Sequence, residues 1–362
     1  MADGRPTLLL TGGAGVLGSA FIDELADDFE IVCLLRRASV DDPRVRAERG
    51  DLGADGLGLS ARRLGALTDR VDVILHAAAA TSWTMPAPEV RDTNVGGTAR
   101  MLEFARRADA PLYYVSTAFV QRPMPADDTG RFAGPRVYVE SKIAAERLIR
   151  ESGHPAAIVR PSIVIGDSRD GRMSAFQGIH KAIRAVVRGT APMIPADPSS
   201  LIDAIPQDVV ARAVGGLIRR GQTGGEHMLT AGAQALTVAE MVRLCLDLAR
   251  RCGLRHAAPR LIPSEAVDRL LLPLLSDVVP PAMRRRFEDL ITLMLLFQAP
   301  DALPTDLPAL GEAGSVEKQA LLDSFEASIT YWARQSGLLE RAVATVPAPA
   351  VHGDLPAPVA AR

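Results

Sequence analysis

Short, uninterrupted apolar runs alternate with amphipathic segments through the first 166 residues of this 362-residue chain. Continuous apolar runs are typical of parallel strands that are covered by helices on both faces. The pattern predicts strands at Thr7–Thr11, Glu30–Leu35, Val71–His76, Leu112–Ser116 and Ala156–Val159. It predicts helices between them, at Ser19–Ala26, Ser60–Leu67, Val90–Ala108 and Val137–Arg150. This alternation predicts an α/β fold built on a doubly wound parallel sheet of the Rossmann type.

The pattern changes after Gly166. Further elements are predicted as helices at Phe176–Val187, Asp208–Arg219 and Thr237–Arg251, a strand at Glu226–Thr230, and a helical, proline-punctuated stretch over 259–298. We therefore predict a first domain over 1–166 and a smaller, mainly helical cap over 167–341 at the carboxyl edge of the sheet. Within the cap, 204–235 is expected to return to the sheet. The Ala-, Pro- and Val-rich tail, 342–362, is predicted to be disordered.

Three glycines follow the first strand directly and precede the first helix. Gly12, Gly15 and Gly18 have the spacing G-x-x-G-x-x-G. Such a turn presents backbone N–H groups and the positive end of a helix dipole at one place, which suits a pyrophosphate. A Cβ at these positions would hold phosphates away or push the helix off the sheet. A dinucleotide site is the favoured interpretation, and an ordinary glycine-rich turn is the alternative.

The end of the second strand carries arginines where NAD-binding proteins carry an acidic residue. Arg36, with Arg37 behind it, suits the 2′-phosphate of NADP. The alternative is a pair of solvated arginines at a strand end. After a short third strand, Asp51 and Leu52 are placed to address the adenine edge of the nucleotide.

A tyrosine and a lysine lie four residues apart, so both face one side of the helix that carries them. An ammonium from Lys142 near the Tyr138 phenol is expected to lower the pKa of that phenol and fit it for proton transfer. Thr117 follows the fifth strand, where its hydroxyl can bond a substrate carbonyl. Asn94 is placed to brace this site or a water. His76, which ends a strand, is more simply explained as a hydrogen-bonded core residue.

Composition and charge limit the kinds of molecule that the chain is expected to bind. The formal net charge of −2 and an isoelectric point near 6.3 give no electrostatic support for binding nucleic acid or an anionic membrane surface. The cysteines Cys33, Cys245 and Cys252 have no metal-ligand spacing, so we predict no metal site. No apolar run is long enough to span a bilayer and no secretion signal is evident, which predicts a cytoplasmic protein.

Taken together and in order, several motifs resemble the extended short-chain dehydrogenase/reductases. They are TGGAGVLG, Asp51-Leu52, HAAA, Asn94, VSTAFV, YVESK and VRPSIVIG. Further stretches look most similar to the branch of fatty acyl-CoA reductases and thioester-reductase domains. These are IVCLLRR, GDLGADGLGLS, VDVILHAAAATSW, NVGGTARMLEFA, YYVSTAFV and IPQDVVARAV.

The resemblance implies that NADPH reduces an acyl thioester, carried on coenzyme A or on an acyl carrier protein, to an aldehyde or onward to the alcohol. It implies a catalytic set of Thr117, Tyr138 and Lys142, with Asn94 in support. The implied cofactor-binding residues are Thr11, Gly12, Gly15, Val16, Leu17, Gly18, Arg36, Arg37, Asp51, Leu52, Ala77, Ala78, Ala79, Asn94, Tyr138, Lys142, Pro161, Ser162 and Ile163. Helices of this superfamily often pair between subunits, so a homodimer is a further expectation.

Two other functions stay open at this stage. One is a reaction on a ketone, alcohol or nucleotide sugar on the same scaffold, and the other is a non-catalytic NADP-binding regulator. Ala266–Leu275 and Leu290–Phe297 are candidates for the wall of an acyl tunnel, with plain cap packing as the alternative. Arg284, Arg285 and Arg286 are candidates to receive an acidic carrier protein, with a solvated helix face as the alternative.

Overall fold

The computed structural model describes residues 4–125, 130–176, 178–263 and 281–339, and in the last range it describes side chains from residue 287 onward. Strands of this part of the chain form a seven-stranded, entirely parallel sheet. Its strands are β1 (Thr7–Thr11), β2 (Glu30–Leu35), β3 (Val45–Arg49), β4 (Val71–His76), β5 (Leu112–Val115), β6 (Ala156–Pro161) and β11 (Glu226–Leu229). Their order across the sheet is β11-β6-β5-β4-β1-β2-β3. The predicted Rossmann fold is confirmed.

Helices connect the strands and cover both faces of the sheet. They are α1 (Val16–Leu25), α2 (Ala61–Thr68), α3 (Ala87–Arg91), α4 (Gly97–Ala108), α5 (Ala133–Ser152) and α7 (Gln207–Arg219). A π-helical turn, Asp92–Gly96, joins α3 to α4, where the sequence predicted one uninterrupted helix. The strand interiors are fully buried, as at Leu8, Leu9 and Leu10 of β1, because helices pack on both sides of them.

Within the described residues, shorter strands and four further helices lie at the carboxyl edge of the sheet. The strands are β7 (Ile163–Ile165), β8 (Met193–Pro195), β9 (Leu201–Ile202), β10 (Ala204–Pro206), β12 (Leu236–Thr237), β13 (Arg260–Ile262) and β14 (Gln298–Ala299). The helices are α6 (Gly178–Val187), α8 (Val238–Arg251), α9 (Pro281–Phe297) and α10 (Lys318–Gln335). Thr237 caps α8 through a reciprocal bond pair with Glu240.

The prediction that the chain is helical from residue 259 is wrong at its start. Arg260–Ile262 is the strand β13, which pairs in parallel with β8. Pro259 and Pro263 flank this segment, and each disfavours a helical conformation in the residue before it. The predicted helical stretch over 264–280, including Ala266–Leu275, lies outside the described residues, as does the tail at 342–362. The sequence patterns also missed α10.

The sheet and the cap share a hydrophobic core. One apolar cluster runs from Leu8 and Phe21 near the first strand to Leu248, Phe325 and Trp332 of α8 and α10. The division at residue 166 therefore stays a proposal about the order of elements. None of the described helices combines the length and the apolar character that crossing a bilayer requires.

The glycine turn after β1 is packed too closely for side chains. Gly12 has a left-handed φ of 78°, and a Cβ built there would lie 2.7 Å from the backbone nitrogen of Ala78. A Cβ at Gly18 would lie 2.2 Å from the backbone oxygen of Gly12. The first turn of α1 thus rests directly on the turn that leaves β1, because neither position carries a side chain.

We expect Gly18→Ala to lower the free energy of unfolding by about 2 kcal/mol or more, since its Cβ meets immovable backbone. Gly65→Ala is the matched control, because a Cβ at that helical position meets nothing within 4 Å. It is expected to raise stability by about 0.5–1 kcal/mol. Urea unfolding followed by circular dichroism measures both. Equal stability of Gly18→Ala and the native protein would contradict the close packing.

Candidate active site

A cleft of about 1360 Å³ follows the carboxyl edge of the parallel sheet. It extends from the glycine turn after β1 and the ends of β2, β4, β5 and β6 to the helices α5, α6 and α9. In an open α/β sheet, this edge is where ligands bind. The predicted site residues that line it are Gly12, Gly15, Val16, Leu17, Gly18, Arg36, Arg37, Asp51, Leu52, Ala77, Ala78, Ala79, Thr117, Tyr138, Lys142, Pro161, Ser162 and Ile163.

The N-terminus of α1 opens into the cleft. Gly15 is its N-cap and has no side chain to bond the first-turn N–H groups. The first N–H groups of any helix lack partners within it, and those of Val16, Leu17 and Gly18 border the cleft. A helix N-terminus of this kind suits an anion such as a pyrophosphate.

Arg36 and Asp51 lie side by side at the other side of the glycine turn. Arg36 Nη1 is 3.9 Å from Asp51 Oδ1, and the arginine side chain is 59% exposed. Asp51 Oδ1 also accepts the Gly53 N–H at 2.9 Å. An ion pair this exposed contributes little, so Arg36 is available to another anion. Arg100 supports the loop by donating to the Leu52 carbonyl at 2.8 Å.

Thr117 and Tyr138 meet in the middle of the cleft. The Thr117 hydroxyl lies close enough to the Tyr138 phenol to lower the pKa of that phenol. Thr117 Oγ1 also accepts the Phe119 N–H at 3.3 Å, which begins a short 3₁₀ turn after β5. Beneath them Lys142 is 1% exposed, and its Nζ donates to the Val115 carbonyl at 2.7 Å. The structure therefore brings the three predicted catalytic side chains to one place.

The expected lowering of the Tyr138 pKa is wrong. Burial raises the pKa of Tyr138 to about 12, and the hydrogen bond from Thr117 opposes this rise. Burial also lowers the pKa of Lys142 to about 7, against the opposing effect of Glu146. The Lys142 ammonium bonds a backbone carbonyl, and desolvation outweighs any charge effect on the phenol. Tyr138 in this environment holds its proton near neutral pH.

Thr11 does not line the cleft, although it was predicted to bind cofactor. Its side chain is fully buried, where Oγ1 lies 2.7 Å from His76 Nδ1 and accepts the Ala78 N–H at 3.1 Å. Burial lowers the pKa of His76 to about 3, with the Lys142 charge adding to the effect. His76 is thus a neutral, hydrogen-bonded core residue. Thr11 fixes the end of β4 and does not face the cleft.

Asn94 also lies behind the cleft wall and not in it. Its Oδ1 accepts the Ala80 N–H at 2.7 Å, and its Nδ2 donates to the Ala80 carbonyl at 3.1 Å and to Ser141 Oγ at 2.9 Å. Asn94 therefore ties the loop after β4 to α5 between Tyr138 and Lys142. This bracing position is one that the sequence suggested, whereas the implied direct contact of Asn94 with cofactor is corrected.

The far end of the cleft is apolar and aromatic. The rings of Trp83 and Phe119 each lie 5.9 Å from the ring of Phe297, at the end of α9. Arg122 donates to the Phe297 carbonyl at 3.1 Å and stands over the Phe119 ring. Other lining residues here, which sequence reasoning missed, are Met85, Phe176, Ile179, Lys181, Asp289 and Thr292.

The segment Leu290–Phe297 was predicted either to form a wall of the cleft or to pack the cap, and the structure shows both. Leu293, Leu296 and Phe297 line the cleft, and Leu290 and Met294 are buried with them in the core of the cap. Hence α9 packs on the cap and forms a wall of the cleft. The side chains of Arg284, Arg285 and Arg286 lie outside the described residues, so their role stays a prediction.

Comparison with known proteins shows which family and which solved structures the chain resembles. Residues 39–214 match the family model described as male sterility protein. The resemblance of the motifs to the extended short-chain dehydrogenase/reductases, and most of all to the fatty acyl-CoA reductase and thioester-reductase branch, is confirmed by this match and by a solved R domain. These matches support an oxidoreductase with a nicotinamide cofactor.

Individual relatives come from large biosynthetic proteins. The chain is 29% identical over 249 residues to the nonribosomal peptide synthetase asaC of Aspergillus flavus, covering 57% of this chain and 24% of the relative. It is 30% identical over 213 residues to the glycine betaine reductase ATRR of Emericella nidulans, covering 47% and 16%. A solved structure, the terminal R domain from the myxalamid PKS-NRPS biosynthetic pathway, superposes with a TM-score of 0.71 at 25% identity and 92% coverage of both chains. This chain spans less than a quarter of the length of the first curated relatives it matches.

We expect Asn94→Ala to lower the free energy of unfolding by about 2 kcal/mol, because it leaves buried polar groups of Ala80 unpaired. Gln319→Ala, which removes an exposed amide with one bond to Asp323, is the control and is expected to change stability by less than about 0.5 kcal/mol. Thermal and urea unfolding test this. An Asn94→Ala protein as stable as the control would show that the bracing bonds contribute nothing.

Proposed function

We propose that this protein is an NADPH-dependent reductase that converts an acyl thioester to an aldehyde. One observation carries the proposal: a single cleft joins the glycine turn, the neighbouring hydroxyl groups of Thr117 and Tyr138, and an end that carries an aromatic cluster. One relative is by its name a glycine betaine reductase, which supports a reduction. The thiol is proposed to be coenzyme A or the phosphopantetheine of a carrier protein.

The residues of the cleft fit a phosphorylated dinucleotide. The open N-terminus of α1 suits the pyrophosphate, and the crowded glycines keep Cβ atoms out of the turn that would receive it. Arg36, exposed and only weakly paired with Asp51, suits a 2′-phosphate. Lys142 is proposed to hold the nicotinamide ribose. These features favour NADPH over NADH.

When bound, a reduced nicotinamide supplies a hydride to the thioester carbon. Thr117 and Tyr138 are proposed to hold the carbonyl oxygen, where negative charge develops in the transition state. Tyr138 donates its proton to that oxygen, which gives a hemithioacetal. Breaking the carbon–sulfur bond then releases the thiol and leaves the aldehyde, with the hydroxyl proton passing to the sulfur. The high pKa of Tyr138 suits this role as a proton donor.

The apolar end of the cleft is proposed to receive the acyl group. Trp83, Phe119 and Phe297 offer ring faces and edges to an apolar chain, and they stand beyond the Thr117–Tyr138 pair. Polar side chains, Lys181, Asp289 and Thr292, also line this region. The cluster of three aromatic rings is therefore the feature that favours an acyl substrate over a sugar.

Tyr138→Phe is expected to lower kcat for reduction of an acyl-coenzyme A by at least about a hundredfold, since it removes the proton donor. NADPH binding is expected to change little. The assay follows NADPH absorbance, with ketones and nucleotide sugars as comparison substrates. Full activity of the variant would refute the role of Tyr138, and turnover confined to sugars or ketones would refute the thioester substrate.

Arg36→Ala is expected to reduce the preference for NADPH over NADH by about tenfold or more, because a charge-assisted bond to the 2′-phosphate is lost. Arg63→Ala is the matched control: Arg63 is 61% exposed, close to the 59% of Arg36, and pairs with Glu48 away from the cleft. Ratios of kcat/KM for the two cofactors give the result. An unchanged ratio in Arg36→Ala, or an equal change in the control, would rule out the phosphate contact.

A further inference from the structure

A buried carboxylate lies directly beneath the cleft and takes no part in proton donation. Glu146 is 1% exposed and follows Lys142 by one turn of α5. Its Oε1 accepts from Ser116 Oγ at 2.5 Å and Arg160 Nε at 2.9 Å, and its Oε2 accepts from Arg160 Nη2 at 2.6 Å and Arg150 Nη2 at 2.7 Å. Burying such a network is costly, and an apolar core is often equally stable. Stability alone therefore does not explain why this network lies next to the predicted catalytic side chains.

Two arginines fix the carboxylate in place. Arg160 is itself 4% exposed, and it reaches Glu226 at 2.5 Å on the far side. Arg150 also contacts Glu226, at 2.5 Å. The cluster joins α5, β6 and β11, and its two positive and two negative charges balance. The Glu146 carboxyl group is thus held in place by two guanidinium groups.

Glu146 is connected to the cleft by two neighbouring residues that line it, Ser116 and Lys142. Ser116, whose hydroxyl it binds, lines the cleft and immediately precedes Thr117. Lys142 is surrounded by His76 from β4, by the Tyr114 ring of β5 at 4.2 Å, and by Tyr138 and Glu146 on its own helix. His76 is neutral and both tyrosines are protonated near neutral pH, and the group that raises the pKa of Lys142 is Glu146.

We propose that Glu146 is a positioning residue for the reaction: it fixes the Ser116–Thr117 strand end and keeps Lys142 cationic. The proposal rests on the proposed function only in so far as Lys142 holds the cofactor. The opposing effect of Glu146 on the lowered pKa of Lys142 has the sign this role requires. A role confined to stability would leave the charge of Lys142 unaffected.

The dissociation constant of NADPH, measured by fluorescence from about pH 6 to 9, tests the charge on Lys142. Binding by the native protein is expected to weaken as pH rises through the pKa of Lys142, because the ammonium loses its proton. Glu146→Gln is expected to move that midpoint about one pH unit lower, and Glu146→Asp, which keeps the charge, is expected to restore it.

Glu226→Gln is the matched control. It removes one negative charge from the same pair of arginines but touches neither Ser116 nor Lys142. Its midpoint is expected to stay within about 0.3 pH units of the native value. A native midpoint in Glu146→Gln, or an equal shift in Glu226→Gln, would overturn the proposal. The binding measurement needs no acyl substrate, so it stands even if thioester reduction fails.

Ser116→Ala provides a second test if Glu146→Gln does not fold. It removes the link from Glu146 to the strand end and leaves the arginine contacts in place. We expect kcat to fall about tenfold with NADPH affinity unchanged. An unchanged kcat would show that the Glu146–Ser116 bond does not position Thr117.

Discussion

The contact between the glycine turn and the end of β4 is the constraint on which the cleft depends. Gly12 touches the backbone of Ala77 and Ala78, and the Thr11 hydroxyl joins the Ala78 N–H to His76. From there, bonds of Asn94 link the next turn of backbone to Ser141 on α5. A buried polar path therefore runs from β1, where the pyrophosphate is proposed to bind, to the helix that carries Tyr138 and Lys142.

The chemical groups that line the cleft differ along its length. One end offers helix N–H groups and arginines to an anion, the middle offers two hydroxyl donors, and the far end offers aromatic rings. Charges beneath the middle are buried and compensated, because Lys142 bonds the Val115 carbonyl and Glu146 is held by arginines. This arrangement presents donors in fixed positions to an oxygen on which charge develops, which is the condition for strong electrostatic stabilisation.

Sequence patterns predicted the sheet and most of the cleft because both depend on local signals. The bounds of β1, β2 and β4 follow directly from their apolar runs, and the glycine spacing and the Tyr138–Lys142 spacing are visible without any structure. Contacts between distant segments were not predictable. One example is the burial that raises the pKa of Tyr138. Others are the position of Thr11 and Asn94 outside the cleft lining and the contact between the Phe297 and Trp83 rings.

The central claim is that one cleft brings a hydride and an acyl thioester carbon together. Reduction of an acyl-coenzyme A with NADPH deuterated at both C4 positions, followed by mass spectrometry of the product, tests it most directly. The account predicts an aldehyde that carries one deuterium on its carbonyl carbon, or an alcohol derived from it. A product without deuterium, or no product while NADPH binds normally, would contradict it.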